Sequence, residues 1–266
     1  MKLKGGSMVN RSRRPYRVGS ALFGILGMLL GGNFLGRAAV ADPGLPRLET
    51  LVPEAVFLPQ GFDNNDNAQL VVYGTLSDSC FRLGPVDFKV DLAARTIRVR
   101  SQVYVYDSDW CLPIISPVTQ TVDLGVLPAN DYRIEIETET GDARNFGSLP
   151  IQASTNAGPD DFLYGEVNDL VFEPNAVGGG KLTLRGTLGA PCMELKEVKV
   201  FYRGDSQGGA RVMEVLPIAG ALPTDRCAEA RDSFERVIEL KTEWKGLSLI
   251  HVRSQNGQSI NRVVQL

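Results

Sequence analysis

The chain of 266 residues contains one histidine, His251. A single imidazole excludes histidine-rich metal centres and leaves little from which to build a serine–histidine–carboxylate triad. Lying between Ile250 and Val252, it reads as a solvent-facing strand residue. Four cysteines are present with no Cys-x-x-Cys pair, so neither a zinc ribbon nor a vicinal dithiol redox motif is spelled. Gly-x-Ser-x-Gly, phosphate-loop and dinucleotide fingerprints are absent. No segment sustains a 3.6-residue apolar period, so helices should be rare. Lysine and arginine form no stripe interleaved with aromatics, which argues against nucleic-acid binding. These absences predict no catalytic residue, cofactor or resident metal. A carboxylate-pair glycosidase needs no local motif and remains a minor alternative.

Long apolar runs are also scarce. The longest, Val18 to Leu30, is flanked by Lys2, Lys4, Arg11, Arg13, Arg14 and Arg17 before it and by Ala39-Val40-Ala41 after it. It is shorter than the roughly 20 residues that span a bilayer. Basic stretch, short apolar core and A-x-A site together are the layout of a secretory signal peptide over 1–41. Ser12-Arg13-Arg14 also matches part of a twin-arginine signal. Residues 1–41 hold seven of the 28 Lys and Arg and no acid, which leaves 21 basic against 31 acidic residues, a formal charge of −10. The expected mature chain has no transmembrane segment and repels nucleic acid and anionic head groups.

The remainder repeats itself. Gly74-Thr-Leu-x-x-x-Cys80 recurs as Gly186-Thr-Leu-x-x-x-Cys192, 112 residues on. Cys111 matches Cys227 and Leu124 matches Leu240 at an offset of 116. A period near 115 suits a small domain rather than a solenoid unit. Alternating apolar and polar segments punctuated by Asn, Asp, Gly and Pro predict an all-β fold. The expected architecture is two tandem antiparallel β-sandwiches from an internal duplication. A linker covers 42–54, the first sandwich 55–152, a second linker 153–161 and the second sandwich 162–266. The second linker is long enough to permit hinge motion. Duplication also selects one cysteine pairing from three, Cys80 with Cys111 and Cys192 with Cys227, and export favours their oxidation. This pattern resembles the broad class of bacterial exported immunoglobulin-like repeat domains, without the Cys…Trp…Cys spacing of antibody domains, since Trp110 directly precedes Cys111. The signal layout predicts a periplasmic or secreted location.

One segment differs between the copies. Thr96 to Cys111 places Ile97, Val99, Val103 and Val105 on one face and Arg98, Arg100, Gln102, Tyr104 and Tyr106 on the other. Trp110 follows, and the second copy has no aromatics there. Exposed Tyr, Trp and Arg favour recognition, so Tyr104, Tyr106, Trp110, Arg98 and Arg100 form the candidate binding surface. The expected function is a non-catalytic adaptor for a cell-envelope protein or polysaccharide. The alternatives are a periplasmic assembly chaperone, because two sandwiches of this size resemble pilus chaperones, and a structural surface subunit. A hydrolase or an inhibitor ranks lower. Asp63-Asn-Asn-Asp-Asn67 reads as an Asx turn, with a calcium loop as the alternative.

Overall fold

Alternating segments rich in β-branched and aromatic residues make strand the dominant structure of the described residues. The computed structural model describes residues 45–266 apart from 109, 177, 205–209, 230–231 and 241–244. The expected signal peptide lies outside the described residues. The first half contains β1 (Arg47–Thr50), β2 (Ala55–Phe57), β3 (Phe62–Asp63), β4 (Ala68–Leu76), β5 (Phe81–Asp91), β6 (Thr96–Val105), β7 (Ser116–Gly125), β8 (Asn130–Glu137) and β9 (Ala143–Gln152). The second contains β10 (Glu166–Pro174), β11 (Gly180–Thr187), β12 (Met193–Arg203), β13 (Arg211–Ala221), β14 (Ser233–Leu240), β15 (Leu247–Ser254) and β16 (Gln258–Gln265), with two short 3-10 turns. No helix among the described residues is long and apolar enough to cross a membrane.

Each half is two sheets closed on one core. In the first, β2-β4-β7 faces the larger sheet built on β5, β6, β8 and β9, to which β1 and β3 add. Leu70, Val72 and Val122 meet Ile97, Val99, Ile134 and Leu149 between them. In the second, β10-β11-β14 faces β12-β13-β15-β16, with Leu182, Leu184 and Leu240 against Met213, Val215, Ile250 and Val252. Each such fully buried aliphatic contributes roughly 1.5–3 kcal/mol.

The pairing registers of the two halves coincide after the offsets read from the sequence. Gln69 opposes Asp123 as Lys181 opposes Glu239. Phe81 opposes Val105 as Met193 opposes Ala221, and both pairings carry a bulge at Leu83 or Leu195. Ile97 pairs Ile134 as Met213 pairs Ile250. Both disulfides join the expected partners, with Cα atoms 5.4 Å apart for Cys80–Cys111 and 4.7 Å apart for Cys192–Cys227.

Two sequence expectations are corrected. The sandwiches are not purely antiparallel: β6 runs parallel to β8, and β13 to β15. Between those strands the chain crosses to the opposite sheet as β7 or β14 and returns in its original direction. The stretch 42–54 is not simply a linker, because β1 pairs with β6 and Leu51 is buried against Leu76, Val103 and Val105. The two halves also meet directly. The outer face of β2-β4 packs on the outer face of β13-β15 through Phe57, Val71, Val212 and Leu249. The described residues accordingly cluster as one compact unit. Four sheets therefore stack in series, and the inner two are covered on both faces, by apolar side chains around Phe57, Val71, Val212 and Leu249 and by buried polar ones around Glu214, His251 and Arg253.

Candidate functional site

The predicted surface divides into two places. Arg98 and Arg100 stand on the exposed face of β6 and are paired with β8 carboxylates. Arg98 lies 3.0 Å from Glu135, and Arg100 lies 3.5 Å from Glu137. Arg133 adds a second contact to Glu135 at 3.2 Å. These arginines neutralise a strand pair. Tyr106 lies eight residues along the chain from Arg98, roughly 26 Å in extended backbone. Between them Gln102, expected outward, is buried, and Tyr104 is half-buried. Tyr104 sits across from Leu48 on β1 and Arg82 on β5.

Tyr106 and Trp110 belong to the loop that follows β6. Here the structure adds three residues that sequence reasoning missed. Trp110 is 89% exposed, Ile115 72%, Leu112 59%, Ile114 54% and Tyr106 44%. The loop is anchored in spite of this exposure. Cys111 is bonded to Cys80, and the Tyr106 amide donates to the Cys80 carbonyl at 3.0 Å. Ser79 donates its amide to the Leu112 carbonyl, and its hydroxyl accepts from the Leu112 amide. Side chains held out on a fixed backbone lose little further freedom on binding. The available signal was the run Leu112-Pro-Ile-Ile115, apolar without alternation, where the second copy begins Arg226-Cys227-Ala228.

Where the two halves meet, a polar cluster borders the apolar contact. Asp66 and Arg253 form an ion pair at 3.0 Å, both buried. The Arg253 guanidinium also donates to the carbonyls of Gln60 and Gly61 and lies 4.5 Å over the Phe62 ring. Burial outweighs the neighbouring arginine and raises the Asp66 carboxyl above the usual aspartate range. Asp66 also accepts the Asp63 amide, and Asp63 accepts the Asn65 amide. The Asp63–Asn67 segment is thus a closed Asx turn whose central carboxylate already holds a cation.

His251 belongs to this cluster, which corrects the solvent-facing expectation. It is 1% exposed, edge-on to Phe62, and its Nδ1 lies 2.7 Å from Asn261 Oδ1. The Asn261 amide nitrogen points to Thr121 and Gln69, so its oxygen accepts and Nδ1 carries the proton. Burial lowers the imidazole pKa to about 4, the Asn261 bond opposing and Arg253 assisting. Sequence reasoning assigned the outer side of this strand correctly. It did not foresee that another sheet covers that side.

Carboxylates in the same region are raised by burial: Glu214, which accepts the Gln60 amide, and Asp160, which accepts the Asn256 and Gly257 amides. Asp160 comes from the 153–161 stretch and ties it to the β15–β16 turn. All these carboxylates are spent on protein partners, and of the cluster's buried side-chain atoms His251 Nε2 has no hydrogen-bond partner among the described residues. Asp78, Cys80 and Cys111 lie close enough to ligate a metal, but both sulfurs are in the disulfide and Asp78 accepts the Cys80 amide.

Comparison of the chain with family models, with curated proteins and with solved structures gives no match.

Proposed function

We propose that this is an exported, non-catalytic binding protein of the bacterial cell envelope, periplasmic or secreted, which engages its partner through the stapled loop Tyr106–Ile115. The observation that carries the reading is the exposure of Trp110, Leu112, Ile114 and Ile115 on a disulfide-anchored backbone, at a position where the second half has Arg226-Cys227-Ala228. The shared fold does not require those apolar side chains, and exposed they cost solubility. Tyr106 extends the patch, Tyr104 lies at its margin, and Arg98 and Arg100 fall outside it. Three aliphatic side chains beside one tryptophan suit an apolar protein surface better than a sugar face, which would need free planar polar groups around the ring.

The two halves are read as immunoglobulin-like sandwiches descended from one duplicated domain. Matching registers, matching bulges and matching disulfides support descent from one ancestor. A three-strand sheet against a four-strand core sheet supports the immunoglobulin-like layout, and the parallel pairs are this protein's own departure from it. The signal layout and the two disulfides support export.

Affinity capture from solubilised envelope tests the proposal, comparing the native protein with a Trp110→Ser/Ile115→Ser variant and an Arg98→Ser/Arg100→Ser variant. The expected result is a protein captured by the native and arginine variants and lost with the loop variant. Equal retention by all three would place the contact elsewhere. Retention competed by soluble glycans would make polysaccharide the ligand.

A further inference from the structure

The two halves differ at the open flank of each sandwich, where an edge strand of one sheet approaches an edge strand of the other. In the first half this flank is closed. Gln120 of β7 donates to the Gly84 carbonyl on β5 at 3.0 Å and accepts from Ser101. Leu51, Phe81 and Val118 fill the space behind it. In the second half the equivalent strands, β14 and β12, part around a cleft of about 440 Å³.

The cleft has the chemistry of a strand acceptor. Its lining includes the apolar Leu188, Met193, Leu195, Leu222 and Phe234. The Phe234 ring packs against Gly165 and Gly186, where an added Cβ would fall 2.8 Å from it. One wall is β14, which pairs only with β11 among the described residues, so its other edge offers unpaired backbone donors and acceptors. β14 is eight residues long and has neither proline nor a bulge. Arg226 and Arg236 stand at the rim, and neither makes an ion pair among the described residues; Arg236 reaches only the Leu195 carbonyl, at 3.5 Å. Of the two acids at the rim, Glu235 is already held by Arg185 at 2.8 Å.

We propose that the cleft between β12 and β14 is a peptide-binding groove that takes an extended segment of a partner protein, apolar at alternate residues and bearing a carboxylate. The segment adds as a strand to β14, sends every second side chain onto Phe234, Leu195 and Met193, and presents its carboxylate to Arg226 and Arg236. This groove is separate from the Tyr106–Ile115 loop, so either can fail without the other.

The test uses ¹⁵N-labelled protein titrated with a blocked seven-residue peptide of alternating valine and threonine ending in aspartate. Saturable amide shifts confined to β14 and the start of β12 are expected. A central proline removes a ladder donor and should weaken binding at least about tenfold. Arg226→Ser/Arg236→Ser, both exposed positions, should weaken the aspartate peptide about fivefold or more and leave an asparagine version unchanged. Shifts in β7 or the Tyr106–Ile115 loop, equal binding of the proline peptide, or no saturation at about 1 mM would each overturn the proposal. So would a peptide-free protein whose mass doubles with concentration through β14, because the occupant would then be a second copy.

Discussion

Two faces of this molecule occupy equivalent positions and meet opposite fates. The outer face of β6-β8 turns its arginines Arg98, Arg100 and Arg133 to solvent, and the outer face of β13-β15 is buried against the first half. Position by position, Thr96 answers to Val212, Arg133 to Leu249, Arg98 to Glu214, Glu135 to His251 and Glu137 to Arg253. The free face is a ladder of arginine–glutamate pairs. The covered face is aliphatic where it meets Phe57 and Val71, and polar only where every polar group but one finds a partner. The other pair of outer faces follows the same rule, with Val71 and Tyr73 at the contact and Thr183 and Arg185 on the free side. Sandwiches that stack back to front could continue into a fibre. Here the two terminal faces carry charged side chains, which disfavours burying them against a further copy.

The sharpest way to break the contrast is to give the buried face the residue of the free one. Leu249→Arg installs the side chain found at position 133 in a contact that offers no acceptor for it. A loss of at least about 3 kcal/mol is expected, with one urea transition splitting into two as the halves unfold separately. A single unshifted transition would show that the contact contributes little. Arg253→Ala tests the polar border. It leaves the Asp66 carboxylate buried and unpaired, at a cost of about 3–5 kcal/mol. Asp66→Asn/Arg253→Met should recover a substantial part of that loss.

His251 makes the contrast dependent on pH. Its folded pKa of about 4 lies below the unfolded value near 6.5. A depressed basic group binds its proton more weakly in the folded state. Its contribution is therefore complete above pH 6.5 and is lost as pH falls towards 4, up to about 3 kcal/mol. Asp66, Asp160 and Glu214 have raised values and bind protons more tightly when folded, so they oppose this slope at the acid end. The two contributions separate by difference: between pH 6.5 and 4 the urea midpoint of the native protein should fall relative to that of His251→Gln, in which only the opposing carboxylates remain.

The reverse graft sharpens the comparison at smaller effect. Thr96→Val/Arg133→Leu gives the free face the side chains of the covered one. Stability should change by less than about 1 kcal/mol. The apolar patch so created should make sedimentation more concentration-dependent than that of the native protein. An unchanged profile would mean that the ion-pair ladder does not limit further stacking.

Much of this architecture was legible in the sequence, for a physical reason. Strand period, turn residues and duplicated cysteines are local or self-referential signals, and they carried the all-β class, the repeat offsets and both cysteine pairings. What they could not carry was the partner of each outer face. Ile250-His251-Val252 reads as alternating, and only the arrival of Phe62 from the other half makes His251 a buried residue. A reader scanning for two-sided apolar strands would have had one clue in Leu70-Val71-Val72, apolar on both faces. Arg98 and Arg100 looked available because their β8 partners are some 37 residues away in the chain. In the loop, the aromatic residues drew notice and the aliphatic ones did not, because leucine and isoleucine are ordinarily core.

The smallest effect is the most direct reading of the contrast, because it compares one position with its counterpart. Arg98 and Glu214 are both outward on equivalent strands and both ion-paired, to Glu135 at 3.0 Å and to Arg203 at 3.4 Å. Counting ion pairs would rank them alike. Arg98 is largely solvated, so Arg98→Ala should cost less than about 0.5 kcal/mol, and less still in high salt. Glu214 is buried and accepts the Gln60 amide from the other half. Glu214→Ala strands that amide and should cost about 1–3 kcal/mol with little response to salt. Equal losses at the two positions in urea titrations at low and high salt would mean that the covered and free faces are energetically alike, and that packing against the first half does not distinguish them.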